Sequence, residues 1–253
     1  GNGGENLSSA QAGLDSLNKF YLDVLWGNVI NRKHIERLGN PKLKEVRGVC
    51  EEKFDIICCQ FALHYFFENS KTLNNFMMNI SENLKIGGKL LATFFDGRKI
   101  FDILENTEKV EKKNSQGKLL WRINKKYKEN ILPKDQNCLF MPIEVYIETF
   151  YQSFLEYLVN LDYLRDIFEL YGLEITSVKS FEDHYQDLGL QTLDDDQKIF
   201  SFLNTSLVVT KKKEITEMSG GGKKNVLDIF ISNQEKLGGG VEEEQDILDT
   251  DVD

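Results

Sequence analysis

The sequence predicts an α/β fold on a largely parallel sheet, and three observations predict it. The run FDIICC (54–59) is apolar apart from Asp55, as a strand covered on both faces is. SKTLNNFMMNISENL (70–84) spaces Leu73, Phe76, Met77, Ile80 and Leu84 at helical intervals. KLLATFF (89–95) reads as a second buried strand, and after the Asp96-Gly97 turn Arg98–Leu104 starts a second helix. Strand, helix, strand, helix is the order of βαβ units.

The remaining elements follow along the chain. Residues 1–19 are rich in Gly, Ser and Asn and become helical in period at Leu14 and Leu17. FYLDVL (20–25) reads as a short strand with Asp23 near its end. A polar connection, Trp26–Lys53, carries turn chemistry at Gly39-Asn40-Pro41. Ser70 is the expected N-cap of the 70–84 helix, and Ile86-Gly87-Gly88 the expected stop. Glu105–Gly117 is charged and poorly apolar. KLLWRINKKY (118–127) and IEVYIETF (143–150) then alternate as half-exposed antiparallel strands do, which predicts a hairpin insertion on the sheet. Ser153–Tyr171 reads as a helix ended by Gly172 in the C′ position. Leu173–Val178 and LNTSLVVT (203–210) supply two last strands. From Lys211 onward KKK, SGGGKK and LGGGVEEE read as linker, with one weak helix at Asn225–Lys236. The expected organisation is a domain over 1–212 and a flexible, acidic C-terminal tail or linker over 213–253.

The 253 residues are 41% hydrophobic, enough to bury the core of such a domain. The formal net charge is −10, but Val241–Asp253 alone carries seven carboxylates and no basic residue. The acidity therefore describes a tail and does not exclude a polyanionic partner. Cys58 and Cys59 are adjacent in one strand and point to opposite faces, which rules out a shared four-ligand metal knot. With Cys50 and Cys138 they read as buried, reduced thiols and point to an intracellular compartment. No apolar stretch approaches the ~20 residues of a membrane helix. Asp183, His184 and Asp194–Asp196 read as scattered loop acids, and no metal is expected. The three lysines of NKKYK (124–128) either face RNA phosphates or form a solvated hairpin face.

The block FDIICCQFALHYFFENSKTLNNFMMNISENLKIGGKLLATFFDG (54–97) resembles the messenger-RNA cap guanine (N-7) methyltransferases, most of all those on capping enzymes of large DNA viruses. A second piece, ETFYQSFLEYLVNLDYLRDIFELYGLEI (148–175), resembles the same family through its EYLV. The resemblance runs from roughly Phe20 to Thr210. It implies a Rossmann-like S-adenosylmethionine-dependent methyltransferase sheet whose last strand is antiparallel. It further implies S-adenosylmethionine as cofactor and capped RNA as partner, with other capping-enzyme domains or subunits beside it. The compartment would be the host cytoplasm or virion if the source is viral, and otherwise the nucleus. Residue by residue, it assigns Asp23, Gln60 and Tyr65 to the cofactor and Phe61, His64 and Glu156 to the cap guanine. The family's glycine-rich cofactor loop should precede Asp23 by roughly fifty residues, where this sequence has 22. GNGGENL (1–7) follows no strand, so an N-terminally incomplete sheet is expected. A late family tyrosine is replaced near Ser206.

The expected reaction, methyl transfer to guanine N-7, needs no general base, because N-7 carries a free lone pair and no proton. The protein must align nitrogen, methyl carbon and sulfur, a positioning effect on the order of 7–11 kcal/mol. Glu156 offers a carboxylate to the guanine N–H groups, and Phe61 and Tyr65 offer ring faces to a base. Outside the resemblance, His64 also reads as a packed structural histidine, Glu156 as a solvated helix carboxylate and Asp23 as a strand end. Two other functions stay open: a catalytically inactive methyltransferase-like subunit that binds RNA or a protein partner, and a methyltransferase acting on another substrate.

Overall fold

The computed structural model describes residues 15–28 and 42–215. Two four-stranded sheets organise them. The central sheet contains β1 (Phe54–Gln60), β2 (Leu84–Phe95), β7 (Leu173–Ser180) and β8 (Asn204–Lys211) in the order β1-β2-β8-β7. β1 and β2 are parallel, while β8 pairs antiparallel with both β2 and β7. Hence β1, β2 and β7 point one way and the last strand, β8, points the other. The second sheet is wholly antiparallel: β3 (Lys109–Lys113), β4 (Leu119–Lys125), β5 (Pro142–Ile147) and β6 (Gln152–Tyr157) in chain order.

The helices are α1 (Ser16–Leu25), α2 (Lys42–Glu45), α3 (Ser70–Asn83), α4 (Gly97–Ile103), α5 (Leu161–Leu170), α6 (Phe181–Asp187) and α7 (Asp195–Ser201). The main core lies between one face of the central sheet and α3 and α5, with Leu90, Phe94, Leu207 and Val209 meeting Phe67, Met77, Ile80, Leu164 and Phe168. A second core fills the inner face of the antiparallel sheet, where Trp121, Ile123, Ile143 and Val145 meet Ile100, Phe101 and Leu104 of the α4 segment.

Several sequence expectations are corrected. FYLDVL is not a strand: it completes α1, because Leu17, Phe20, Tyr21 and Val24 fall on one helical face and Asp15 caps the N-terminus through Asn18 N. The cap of α3 is Asn69 rather than Ser70. α3 stops at Asn83, ahead of the glycines, and Leu84–Gly88 already belongs to β2, whose pairing with β1 slips between Phe54 and Ile56. The insertion is four strands rather than one hairpin, since Lys109–Lys113 pairs with β4 and Gln152–Tyr157 with β5. The helix expected from Ser153 begins only at Leu161, where the Asn160 side chain accepts from Tyr163 N. β1 is not covered on both faces: it pairs only with β2 among the described residues, and Ile56 and Cys58 are exposed while Cys59 is buried. Gly172 does follow α5, at φ +71°. The stretches 1–7, 39–41 and 225–236 lie outside the described residues.

Asp183 and Asp194 take part in helix capping. Asp183 forms a capping box with Ser180 at α6, and Asp194 one with Gln197 at α7. Lys211 is wholly buried, and its Nζ donates to the carbonyls of Ser81 (2.5 Å) and Leu84 (2.9 Å) at the end of α3 and to Glu214 Oε2 (2.7 Å). A cation at a helix C-terminus satisfies carbonyls that have no intrahelical donor. Lys211→Ala is expected to lower unfolding free energy by about 2–4 kcal/mol in urea titrations, since it strands those carbonyls. Lys212→Ala, whose pair with Glu174 is exposed, should change it by less than about 0.5 kcal/mol.

Candidate functional site: a buried imidazole–carboxyl pocket

β1 delivers Gln60 to the carboxyl edge of the central sheet, next to Thr93 of β2 in the register. The chain then turns sharply at Phe61, which adopts φ +50°. That left-handed geometry costs a non-glycine residue about 1–2 kcal/mol. It is held by Phe61 N–H, which donates to Thr93 O at 2.8 Å. The turn leads into a 3-10 segment, Leu63–Glu68, in which Leu63, His64, Phe66 and Phe67 are buried while Tyr65 stays 45% exposed.

Glu156 arrives from the other sheet. It sits on β6 opposite Ile143 and is only 8% exposed. Its Oε2 lies 3.6 Å from His64 Nδ1. That is beyond hydrogen-bonding distance. Both ring nitrogens of His64 and Oε2 of Glu156 are sealed from water without a hydrogen-bond partner. Burial pushes the His64 imidazolium down to about 4 and the Glu156 carboxyl up to about 7. The pair has the spacing of an ion pair, but burial disfavours the charged form of each member. The Tyr65 ring packs edge-on against His64, with centroids 4.1 Å apart. Its phenol is raised by burial and then by the Glu156 charge, so the three groups converge. Phe61 is 54% exposed and meets Phe181 of α6 edge-on at 6.1 Å.

Gln60 is tethered, its Oε1 accepting from Thr93 Oγ1 (2.8 Å) and its Nε2 donating to Leu91 O (3.1 Å). It lines a groove of about 620 Å³ along the open side of β1, with Trp26, Ile56, Cys58, Phe76 and Ile80. Asp23 stands apart from this arrangement, on α1, where it accepts from Asn28 Nδ2 at 3.2 Å. Trp26, three residues on, anchors the end of α1 to α3 by donating Nε1–H to Asn83 Oδ1 at 3.0 Å.

The structure thus brings together His64, Tyr65 and Glu156, with Gln60 and Phe61 on the same turn, and leaves Asp23 outside. Sequence reasoning missed Trp26, Thr93 and the bond between His184 Nε2 and Ser206 Oγ (2.8 Å). Ser206 occupies the same row across the sheet as Gln60 and Thr93. Ser206 Oγ donates to Lys179 O (3.0 Å), so His184 is the donor in its bond to Ser206. The alternation in QSFLEY was a signal for β6, and Asn160 ahead of Leu161, Leu164, Ile167 and Phe168 was a signal for where α5 begins.

The fold and the site define an α/β domain with a buried, ring-flanked imidazole–carboxyl pair just past the carboxyl end of β1, the edge where open α/β sheets bind ligands. Comparison with known proteins gives the family: the mRNA (guanine-N(7))-methyltransferase domain matches residues 31–220, and the chain belongs to that family. Among relatives, it is 33% identical over 137 residues to a probable mRNA-capping enzyme of Acanthamoeba polyphaga mimivirus, covering 51% of this chain and 11% of the relative. It is 29% identical over 140 residues to an mRNA cap guanine-N(7) methyltransferase of Saccharomyces cerevisiae, covering 54% of this chain and 32% of that protein. The chain thus spans a third or less of the length of these relatives. Among solved structures, an S-adenosylmethionine-dependent methyltransferase from Clostridium acetobutylicum matches at TM-score 0.40 and 15% identity, over 64% of this chain and 59% of that one.

The two buried groups set opposite pH dependences. Folded Glu156 holds its proton up to about pH 7 while the unfolded chain releases it near 4.5, so its contribution to stability falls as pH rises across that window. Folded His64 refuses its proton until about pH 4 while the unfolded chain takes it near 6.5, so its contribution rises with pH. Relative to the parent protein, Glu156→Gln should gain about 3 kcal/mol between pH 4.5 and 7, and His64→Leu should lose about 3 kcal/mol between pH 4 and 6.5. Urea unfolding at several pH values measures both slopes, and parallel curves for the two variants would contradict the assignment.

Proposed function

We propose that this chain forms the guanine-reading part of an enzyme that transfers a methyl group from S-adenosylmethionine to N-7 of the guanine cap of mRNA. The observation that carries this reading is the His64–Glu156 pair: three buried polar atoms without partners, on the turn after β1 and on β6. Each unpaired polar atom costs about 1–3 kcal/mol. A flat ligand edge with matching donors and acceptors recovers that cost. Guanine presents a ring N–H beside an amino group, and the two oxygens of an ionised Glu156 accept both. A neutral imidazole keeps one N–H donor, which suits the neighbouring guanine carbonyl. Tyr65 and Phe61 are exposed enough to lie against the base.

The cofactor's place is the groove beside Gln60, whose volume falls in the range of small-molecule sites. Of the three residues assigned to S-adenosylmethionine, Gln60 fits best, with one amide N–H left over after its two tethers. Tyr65 stands against His64, on the turn that follows Gln60. Asp23 accepts from Asn28 through Oδ1, which leaves its second oxygen for the adenine amino group. Bound there, S-adenosylmethionine supplies a methyl group made electrophilic by its sulfonium. The protein's own residues orient the guanine by its edge, keep N-7 unprotonated and uncovered, and exclude water from the pocket. No residue has to move a proton for the transfer itself. The partners on this reading are capped RNA and other capping-enzyme domains or subunits. The compartment is wherever RNA is capped: the nucleus, or the host cytoplasm for a virus-encoded chain. Among the described residues no helix is long and apolar enough to cross a membrane.

Isothermal calorimetry with GpppG and ApppA, followed by a methylation assay on GpppG-capped RNA, tests the reading. The protein should prefer GpppG, and Glu156→Ala should weaken GpppG binding at least tenfold while leaving ApppA unchanged. Equal affinity for the two dinucleotides would contradict guanine reading. Preference for GpppG without methyl transfer in the presence of S-adenosylmethionine would restrict the chain to a cap-binding role.

A further inference from the structure

We propose that the solvent face of the antiparallel sheet β3–β6 is a binding surface for single-stranded RNA, separate from the guanine pocket. Although the chain is acidic as a whole, residues 109–141, from the start of β3 to the edge of β5, hold nine basic and three acidic residues. A local basic excess on an acidic chain is the footprint of a polyanion partner.

The sheet decides which of these charges act together. Ile123, Ile143 and Val145 face the core, so Glu111, Arg122 and Tyr146, which form one row across the strands, face outward. Around Glu111 stand three cations. Lys109 and Lys113 both pair with it, at 3.3 and 3.2 Å, and Arg122 is its cross-strand neighbour. Across the face five cations, Lys109, Lys113, Lys118, Arg122 and Lys126, meet three carboxylates, Glu111, Glu144 and Glu148, and the excess of two is available to phosphates. Arg122 lies over the Tyr146 ring, 6.0 Å from its centroid, and its Nε has no hydrogen-bond partner. At one end of the face Lys118 sits over Tyr151, a ring that is 72% exposed and held at φ +53°. Cations beside open aromatic faces suit bases as well as phosphates. A duplex hides its bases from such rings, and an acidic polypeptide has no use for them, so single-stranded RNA is the occupant the chemistry favours.

The lysines of NKKYK divide. Lys126 lies on this face with Glu144 (3.3 Å), whereas Lys125 turns to the other side, over Tyr127 (4.9 Å). Glu156 also faces the other side of the sheet, opposite Ile143, so the guanine pocket and the RNA face lie on the two sides of β6. β6 pairs only with β5 among the described residues, and the turn Leu63–Glu68 packs against it.

Fluorescence anisotropy with a labelled, uncapped oligouridylate of about 12 nucleotides tests this surface without involving the cap. The protein should bind it at about 50 mM salt, with affinity falling linearly in log–log form as salt rises. Arg122→Gln combined with Tyr146→Leu should weaken binding at least fivefold and reduce the salt slope by about one. Lys109→Gln with Lys113→Gln, both side chains more than half exposed, should weaken it at least threefold, which covers the case where the first variant fails to fold. Glu156→Ala should bind uncapped RNA as the parent does, so failure of the guanine reading leaves this result intact. No binding at that salt, unchanged binding by the Lys109/Lys113 variant, or equal competition by polyglutamate would overturn the proposal.

Discussion

The turn Leu63–Glu68 has to satisfy two packing surfaces at once. Leu63 and Phe67 enter the main core, while His64 is aimed at β6 of the other sheet. Its backbone is pinned from both sides: Thr72 Oγ1 of α3 donates to Phe66 O (3.1 Å), and Phe140 N, just ahead of β5, donates to Phe67 O (2.9 Å). Phe66 stacks on Phe76 with ring centroids 4.1 Å apart. These contacts leave the turn little freedom, and the left-handed Phe61 is the local strain that lets β1 feed into it. The pocket follows from this constraint. A six-residue turn anchored in the main core presents an imidazole to a carboxyl carried by the antiparallel sheet.

A second joint sets the position of the carboxyl. Asp96 bridges to Val159 just beyond β6, and Gly97 N–H donates to Val159 O at 3.1 Å. A Cβ at Gly97 would lie 2.3 Å from that oxygen, so only glycine allows the approach. Asp96 also caps α4 through Arg98 N and accepts from Thr205 Oγ1 of β8. The carboxyl end of β2, the start of α4, the reversed last strand and the segment after Glu156 are therefore tied at one residue. Glu156 lies three positions before Val159, which fixes its depth relative to His64.

The parts of this arrangement that were legible in the sequence are those written in local pattern. FDIICC, the apolar spacing in 70–84 and KLLATFF gave the β1–α3–β2 unit, because buried strands and amphipathic helices impose their own periods. Glu156 was placed in the pocket through resemblance but assigned to the wrong element. SFLEYLV is apolar enough to suit a helix or a strand, and pairing with β5, a nonlocal contact, decided for the strand. Asp23 shows the converse: FYLDVL is a plausible strand by composition, and only the upstream Leu17 and the Asp15 cap make it a helix. β3 was missed because its five residues, KVEKK, bury nothing fully and are held by ladder bonds to β4. The burial of His64 and the unpaired state of its nitrogens have no signature in sequence at all, since both depend on how two sheets meet.

The central claim is that Glu156 and His64 form a buried pair left unsatisfied until a guanine edge arrives. Its most direct test is a ¹³C NMR titration of the Glu156 side-chain carboxyl, with and without saturating GpppG. The account predicts a midpoint of about 7 in the free protein. It predicts a shift toward the ordinary glutamate range in the complex, as the carboxylate takes up the guanine N–H groups. A free-protein midpoint already in the ordinary range, or one that GpppG leaves unmoved, would contradict it.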